Sequence, residues 1–314
     1  MKSSSQILRT DRSSRRSSTQ DPVHGLTVEI GELPIRVRTD SLAFRHMLRN
    51  RYGEFLTCDS RHEAMKLDVE LVNEHQDLGV RKGDDPDVRV RVERGRWVME
   101  RSDFLAEWDP EHNRGWVTLH ANPYAIDAVL RILHSLLLAR AGGFLVHAAS
   151  VVRNGRASVF AGASGVGKST LARLAPPGIT LLTDEISYIG PGSKAHSESS
   201  KSRAANLDPS STRESAGPAF HAFGTPFVGE LARIGQKVNA PLRSLFLLKQ
   251  GLENRIEPLS EVEAARGLLR HVLFFARDEE LVRMIFETIF AFVTCVPVRR
   301  LVFAEDARVW DLIL

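Results

Sequence analysis

The sequence predicts an α/β fold for the C-terminal half of the chain and a smaller α+β domain ahead of it. One observation is a glycine-rich segment at 162–169 that fits the pattern G-x-x-x-x-G-K-[ST], between an apolar strand and a helix. The other is a series of short alternating segments upstream, which is typical of strands. An amphipathic helix predicted over 123–141 separates the two regions, so we predict domains at 23–141 and 142–314.

The N-terminal region begins with a predicted hairpin whose strands flank Gly31 and Glu32. Helical spacing over 41–55 follows the N-cap candidates Asp40 and Ser41. The next segments predict a strand meander, with strands at 65–72, 88–92, 96–100, 104–108 and 115–119. We expect three tryptophans to contribute to the core of this domain: Trp97, Trp108 and Trp116.

The glycine-rich segment predicts a phosphate-binding loop. A buried strand at 157–161 enters it and a helix at 169–175 leaves it, which is the order that this motif requires. Glycines let backbone N–H groups surround phosphate oxygens, Lys168 neutralises the β- and γ-phosphates, and Ser169 can hold Mg²⁺. The predicted nucleotide-binding residues are Gly162, Ala163, Ser164, Gly165, Val166, Gly167, Lys168, Ser169 and Thr170.

A carboxylate pair follows this loop. Pro176 ends the helix, and the strand predicted over 179–183 leads directly to Asp184 and Glu185. Open α/β sheets bind ligands at the carboxyl ends of their strands, so we expect the pair on a neighbouring parallel strand, beside bound phosphates. Two carboxylates there can bind Mg²⁺ and accept a proton from an attacking hydroxyl; a solvated pair at a strand end is the alternative.

A single histidine lies in the apolar strand predicted over 143–153. A histidine in such a strand is more often a core residue than a catalytic one. Asn154 and Gly155, however, predict a hairpin turn between this strand and the strand that enters the phosphate-binding loop. We therefore expect His147 to lie in the same sheet and to contact Asp184 or Glu185.

Four segments together carry a resemblance to a known family. They are Val-His-Ala-Ala at 146–149, the run Gly-Ala-Ser-Gly-Val-Gly-Lys-Ser-Thr at 162–170, Leu-Leu-Thr-Asp-Glu at 181–185, and Gly-Thr-Pro-Phe-Val-Gly-Glu at 224–230. They resemble the HPr kinase/phosphorylase family and, more closely, HPr-kinase-related P-loop serine kinases, which include precursor-peptide kinases of lasso-peptide pathways. The resemblance implies a C-terminal domain of the HPr-kinase/PEP-carboxykinase-like type.

The resemblance also implies cofactors and roles for particular residues. ATP and Mg²⁺ would be bound, and Asp184 would receive the hydroxyl proton with His147 and Glu185 beside it. A magnesium site would be formed by Ser169, Asp184 and Glu230.

The resemblance is incomplete in two respects. HPr kinases usually carry an acid after the loop serine and two aspartates at the strand end, whereas this chain has Thr170 and an Asp-Glu pair. Their glycine- and arginine-rich segment is also missing, so HPr itself is not implied as the substrate.

The 224–230 segment has one further implied role, because its resemblance to the family implies that Thr225 supplies a hydroxyl near the phosphates.

The C-terminal remainder predicts strands at 242–248, 255–259 and 298–303, helices at 261–276 and 279–295, and a last helical turn through Trp310. Helical spacing predicts that four apolar residues of the second helix pack in the core: Met284, Phe286, Ile289 and Phe290.

Composition narrows the class of protein. The net charge of +3 arises within residues 1–22, a Ser/Arg-rich tail that we expect to be disordered, so we expect no nucleic-acid partner. No apolar run reaches membrane-spanning length, and Cys58 and Cys295 have no metal or redox spacing, so we expect a cytoplasmic protein. The serine-rich segment 190–219 is interpreted either as a substrate-gating loop or as plain disorder.

The functional expectation is an ATP-dependent kinase with an alcohol group as acceptor, most favourably a serine of a peptide or small protein. Two alternatives stay open: a kinase of a small-metabolite hydroxyl, and a nucleotide-dependent switch or partner protein without transferase activity. The acceptor, the reverse reaction and a homo-oligomeric state also stay open.

Overall fold

A computed structural model describes residues 24–313, except 59–61, most of 74–87, 193–219 and 276–277. The tail predicted for 1–22, and all but the first residues of the loop predicted for 190–219, lie outside the described residues. The chain is mixed α/β with 28% helix and 41% strand. It divides into two compact units, one with residues 24–28 and 34–130 and the other with residues 29–33 and 131–313.

The first sheet contains eight strands in the order β3-β1-β2-β4-β8-β7-β6-β5. The elements of this region are β1 (His24–Ile30), β2 (Leu33–Thr39), α1 (Leu42–Tyr52), β3 (Leu56–Thr57), β4 (Met65–Val72), β5 (Arg89–Glu93), β6 (Arg96–Arg101), β7 (Phe104–Asp109), β8 (Arg114–His120) and α2 (Pro123–Arg140). Gly31 and Glu32 join β1 to β2 with positive φ angles. The N-cap prediction is confirmed, because the Ser41 hydroxyl accepts a hydrogen bond from the Phe44 N–H at 3.2 Å.

The predicted meander is correct for β5 to β8 and wrong for β4. Strands β5, β6, β7 and β8 pair antiparallel in chain order, whereas β4 pairs parallel with β2 and with β8. The helix α1 lies between β2 and β4 in the sequence, and such a crossover returns the chain parallel to the strand that it left.

Two of the three predicted core tryptophans are buried. Trp97 and Trp108 face each other across β6 and β7 and are almost inaccessible. Trp116 is only half-buried, because successive side chains of a strand point to opposite faces and its neighbours Gly115 and Val117 face the core. The guanidinium groups of two arginines cover its ring at 5.7 and 5.2 Å: Arg96 and Arg114.

The second sheet also contains eight strands. Its elements are β9 (Phe144–Arg153), β10 (Arg156–Ala161), α3 (Lys168–Arg173), β11 (Thr180–Thr183), β12 (Ile186–Pro191), β13 (Phe220–Phe223), β14 (Asn239–Gln250), β15 (Arg255–Pro258), α4 (Glu261–Leu269), α5 (Glu279–Cys295), β16 (Val298–Phe303) and α6 (Val309–Ile313). The order is β10-β9-β12-β13-β14-β16-β15, with β11 paired to β9 and β10 also paired to β14. These pairings link β9, β10, β14, β13 and β12 in a closed circuit.

The predicted hairpin between β9 and β10 is confirmed. The two strands pair antiparallel, and Asn154 and Gly155 have the positive φ angles (52° and 72°) that its two-residue turn requires. The position predicted for β11 is wrong, since β9 separates it from β10. Both strands run antiparallel to β9, however, and so their carboxyl ends still lie at the same edge of the sheet.

Aromatic side chains fill the core of this unit. Phe160 of β10 stacks on Phe246 of β14 at 5.6 Å and meets the edge of Trp310 from α6. Phe292 of α5 packs against Phe144 at 5.3 Å. Two further predictions for this region are corrected. Helix α4 ends at Leu269, and Phe286 and Phe290 on α5 are 39% and 54% exposed although Ile289 is buried.

A buried histidine on α2 makes the stability of this unit depend on pH. His134 is fully buried with its ring 5.9 Å from that of Tyr188, and among the described residues neither ring nitrogen has a hydrogen-bond partner. Burial lowers the pKa of His134 from 6.5 to about 3. Between these two values the unfolded chain binds a proton that the folded chain excludes, so stability falls as the pH falls through this window.

We expect the variant His134→Leu to be less sensitive to acid than the wild type. At pH 5 the difference should reach about 2 kcal/mol of unfolding free energy, measured by urea denaturation between pH 5 and 7.5. His46→Leu, which removes an exposed histidine, is the control and should follow the wild type. Parallel pH curves for the wild type and His134→Leu would contradict this account.

None of the helices in the described part of the chain combines the length and apolar character needed to cross a bilayer. Cys58 and Cys295 are both exposed free thiols.

Candidate functional site

A cavity of about 600 Å³ opens at the carboxyl ends of β10 and β11. Its lining residues are His147, Ser164, Gly165, Gly167, Lys168, Ser169, Thr170, Asp184, Glu185, Val228, Gly229, Glu230 and Glu305. The cavity thus brings together the loop, the carboxylate pair, the histidine and Glu230 that the sequence singled out. Strand β9 explains their proximity: Ala148 pairs with Ala161 at the end of β10, and on its other edge donates a hydrogen bond to Glu185 O at 3.0 Å.

The loop between β10 and α3 has a backbone that only glycine adopts readily. Gly165 and Gly167 have φ angles of +74° and +105°. A Cβ atom on Gly167 would also lie 3.0 Å from the ring of Phe303. Three residues that were predicted to bind nucleotide are not among those that line the cavity: Gly162, Ala163 and Val166. The Val166 side chain fills the space beside Gly162, where a Cβ atom would approach it to 2.6 Å.

The ammonium group of Lys168 folds back onto this loop. It donates to the carbonyl oxygens of Gly162 and Ala163 at 3.0 and 2.9 Å, and the residue is only 6% exposed. Burial lowers the pKa of Lys168, whereas the carboxylates of Glu230 and Glu185 act in the opposite direction. The partners of this buried cation are neutral carbonyls, so it can exchange them for an anion that enters the cavity.

Asp184 binds the backbone of the segment around Gly229, which forms one wall of the cavity. Its two carboxylate oxygens accept hydrogen bonds from the backbone N–H groups of Gly229 (3.1 Å) and Leu231 (2.8 Å), and the residue is 2% exposed. A Cβ atom on Gly229 would lie 2.8 to 2.9 Å from this carboxylate, so glycine permits the close approach. Each carboxylate oxygen offers two acceptor positions, which leaves Asp184 able to accept a further hydrogen bond.

Glu185 forms an ion pair with a residue of α2. Its carboxylate pairs with the guanidinium of Arg131 at 3.2 Å, and the same guanidinium lies 4.9 Å from the centre of the Phe227 ring. Phe227 is fully buried and belongs to the segment that follows β13. Arg131 therefore connects the second acid of the pair to the segment that Asp184 binds.

His147 is half-buried on β9, and its backbone N–H donates to the backbone carbonyl of His271 at 2.8 Å. His147 lines the same cavity as Asp184 and Glu185, and the contact predicted between its side chain and this pair stays a prediction. Burial lowers the pKa of His147, and the charges of Lys168 and His271 lower it further, whereas the carboxylate of Glu230 acts in the opposite direction. The imidazole is therefore neutral near pH 7 and can act as a hydrogen-bond acceptor or donor at the cavity.

Thr225 does not have the role that the resemblance implied. It is fully buried, and its hydroxyl donates to Ile186 O at 3.2 Å. Its N–H donates to Leu182 O at 3.0 Å, which joins the 224–231 segment to β11 next to Asp184. The fold thus uses Thr225 to hold this segment.

Sequence reasoning missed several residues of the site: Arg131, Gly229, His271 and Glu305. Arg131, His271 and Glu305 lie outside the motifs. Arg131 reaches the site from α2, the backbone of His271 hydrogen-bonds to β9, and Glu305 follows β16. Gly229 lies within the 224–230 motif, which was its signal, although its contact with Asp184 was not foreseen.

A second group of side chains lies close enough together to share a cation. Asp109, Glu111 and His112 lie at the turn between β7 and β8, within the part of the chain that the structure describes. Asp109 accepts hydrogen bonds from the N–H groups of both other residues at 3.1 and 3.2 Å, so the cluster is explained as a turn.

A scan against protein-family models and a search of curated proteins found no match to this chain. The resemblance to HPr-kinase-related proteins therefore stays a prediction that rests on the residues of the motifs.

Proposed function

We propose that the chain is a P-loop kinase of the HPr-kinase-like type, which transfers the γ-phosphoryl group of ATP to a hydroxyl, with a serine of a peptide or small protein as the expected acceptor. The observation that carries this proposal is the convergence of three groups on one cavity. The glycine loop and the Asp184-Glu185 pair lie at the same sheet edge, about 10 Å apart across β9, and His147 lies on β9 itself.

The residues present fit a nucleoside triphosphate. The cavity volume lies within the range of small-molecule sites, and a loop with two left-handed glycines leads into α3. Lys168 is a buried cation whose carbonyl partners can be replaced by phosphate oxygens.

The residues present also fit Mg²⁺, because the Ser169 hydroxyl and the carboxylates of Asp184 and Glu230 line the same cavity. These are the oxygen donors that this ion prefers. Bound Mg²⁺ would offset the negative charge of the phosphates during transfer.

Each of these side chains has a separate role in the proposed transfer. The acceptor oxygen forms a bond to the γ-phosphorus while the bond from that phosphorus to the β–γ bridging oxygen breaks, and ADP leaves. Asp184 accepts the hydroxyl proton. Arg131 orients Glu185, and Lys168 neutralises charge on the phosphates. Because such transfer depends chiefly on position and charge, the rigid backbone bonds around Asp184 favour it.

The proposal is tested by incubating the full chain with γ-labelled ATP and Mg²⁺ and offering matched synthetic peptides, each with a serine or with alanine at the same position. Small hydroxyl metabolites form a parallel set. Label on serine peptides and none on their alanine counterparts supports the proposal. Label on metabolites alone supports the second type of kinase, and tight ATP binding without any labelled acceptor supports a nucleotide-dependent switch.

A further inference from the structure

The loops after three parallel strands lie side by side at the cavity. Strand β10 pairs parallel with β14, and β14 pairs parallel with β16. The phosphate-binding loop therefore has as neighbours the residues that follow β14 and β16. Two hydrogen bonds join them: Gln250 Nε2 donates to Gly165 O at 3.1 Å, and Gly251 N–H donates to Phe303 O at 3.1 Å.

Glu305 is the cavity residue that follows β16. It is exposed and has a φ angle of +52°, a left-handed conformation that residues other than glycine and asparagine seldom adopt. Strained backbone of this kind persists where the surrounding structure imposes it, and it is frequent at binding sites.

The cavity therefore has two different ends. The end next to β9 and β11 carries His147, Asp184 and Glu185, and the end next to β16 carries Glu305. If transfer occurs at Asp184, the γ-phosphate faces β9 and the α-phosphate faces away from it. The nucleoside then continues toward β14 and β16.

We propose that Glu305 marks the nucleoside end of the cavity and that its carboxylate accepts hydrogen bonds from the sugar hydroxyls. This inference rests on the proposed function, which fixes the direction of the bound triphosphate. An ionised carboxylate is an acceptor only, so it repels phosphate oxygens and attracts donors. A ribose offers two adjacent hydroxyl donors, and a carboxylate has two oxygens to receive them. The substrate class is accordingly a ribonucleoside triphosphate in preference to its deoxy forms.

The test compares Glu305→Asn with the wild type by calorimetry, using Mg²⁺ complexes of ATP, 2′,3′-dideoxy-ATP and inorganic triphosphate. Asparagine shortens the side chain, removes the charge and suits a positive φ angle, so the fold should be retained. Glu253→Asn, an exposed acid in the loop between β14 and β15, is the matched control.

We expect Glu305→Asn to weaken the binding of ATP about tenfold, as for the loss of hydrogen bonds to a charged group, and to leave the dideoxy compound and triphosphate within about twofold. The wild type should prefer ATP to the dideoxy compound by a similar factor. An unchanged affinity for ATP, or equal changes for ATP and triphosphate, would overturn the assignment.

The outcomes separate this inference from the proposed function. Glu305-dependent ATP binding without any labelled acceptor would leave the nucleoside subsite standing and remove the kinase activity. Transfer to a serine peptide that is insensitive to Glu305→Asn at limiting ATP would support the kinase activity and remove the nucleoside subsite. A wild type that binds neither ATP nor triphosphate would overturn both.

Discussion

The variant Asp184→Asn is expected to lower the rate of phosphoryl transfer about a thousandfold and to weaken Mg-ATP binding far less, because Ser169 and Glu230 still offer oxygen ligands to Mg²⁺. The magnitude is that of losing a general base. The measurement is single-turnover transfer from γ-labelled ATP to the acceptor, with ATP affinity determined separately by calorimetry. A neutral amide of the same shape cannot take up the hydroxyl proton, although it can still occupy the same volume.

Asp184 also binds the backbone of Gly229 and Leu231, and a second variant separates this structural role from that of a base. Asparagine has one oxygen, so it can accept from Gly229 or from Leu231 but not from both, and the wall of the cavity is weakened. Gly229→Ala weakens the same wall and keeps the carboxylate, because the new Cβ atom would meet it at 2.8 to 2.9 Å. If Asp184 only holds the wall, both variants lose the same activity. If it is the base, Asp184→Asn loses far more.

Local sequence was sufficient for those parts of the site that one segment forms. The turn at Asn154 and Gly155 and the helix that begins at Lys168 were predictable because glycine, proline and apolar spacing act over a few residues. The positions of Asp184 and His147 at one sheet edge followed from strand direction alone.

The features that could not be predicted depend on contacts between segments that are separate in the sequence. The insertion of β9 between β10 and β11 depends on hydrogen bonds between segments about thirty residues apart, and no local pattern encodes them. The pairing of Arg131 with Glu185 and the approach of Glu305 to the loop likewise arise only when the sheet is assembled. Phe286 and Phe290 show the same limit, because helical spacing identifies an apolar stripe but not the width of the surface that covers it.

The variant Lys168→Met is expected to weaken Mg-ATP binding by about a hundredfold and to reduce transfer by at least about a thousandfold, since it removes a positioned charge from both the bound and the reacting phosphates. Methionine keeps the length of the side chain without its charge. Burial of this ammonium lowers its pKa, which indicates that the charge is held at a cost to the folded state.

Stability and binding should therefore change in opposite directions in this variant. The midpoint of thermal unfolding in the absence of nucleotide should stay the same or rise, because a desolvated ammonium is replaced by an apolar group. Lys66→Met, on an exposed position of β4, is the charge-matched control and should leave binding and transfer unchanged. Unaltered ATP affinity in Lys168→Met would mean that the buried ammonium serves the carbonyls of Gly162 and Ala163 and not a phosphate, and the glycine loop would then be a structural turn.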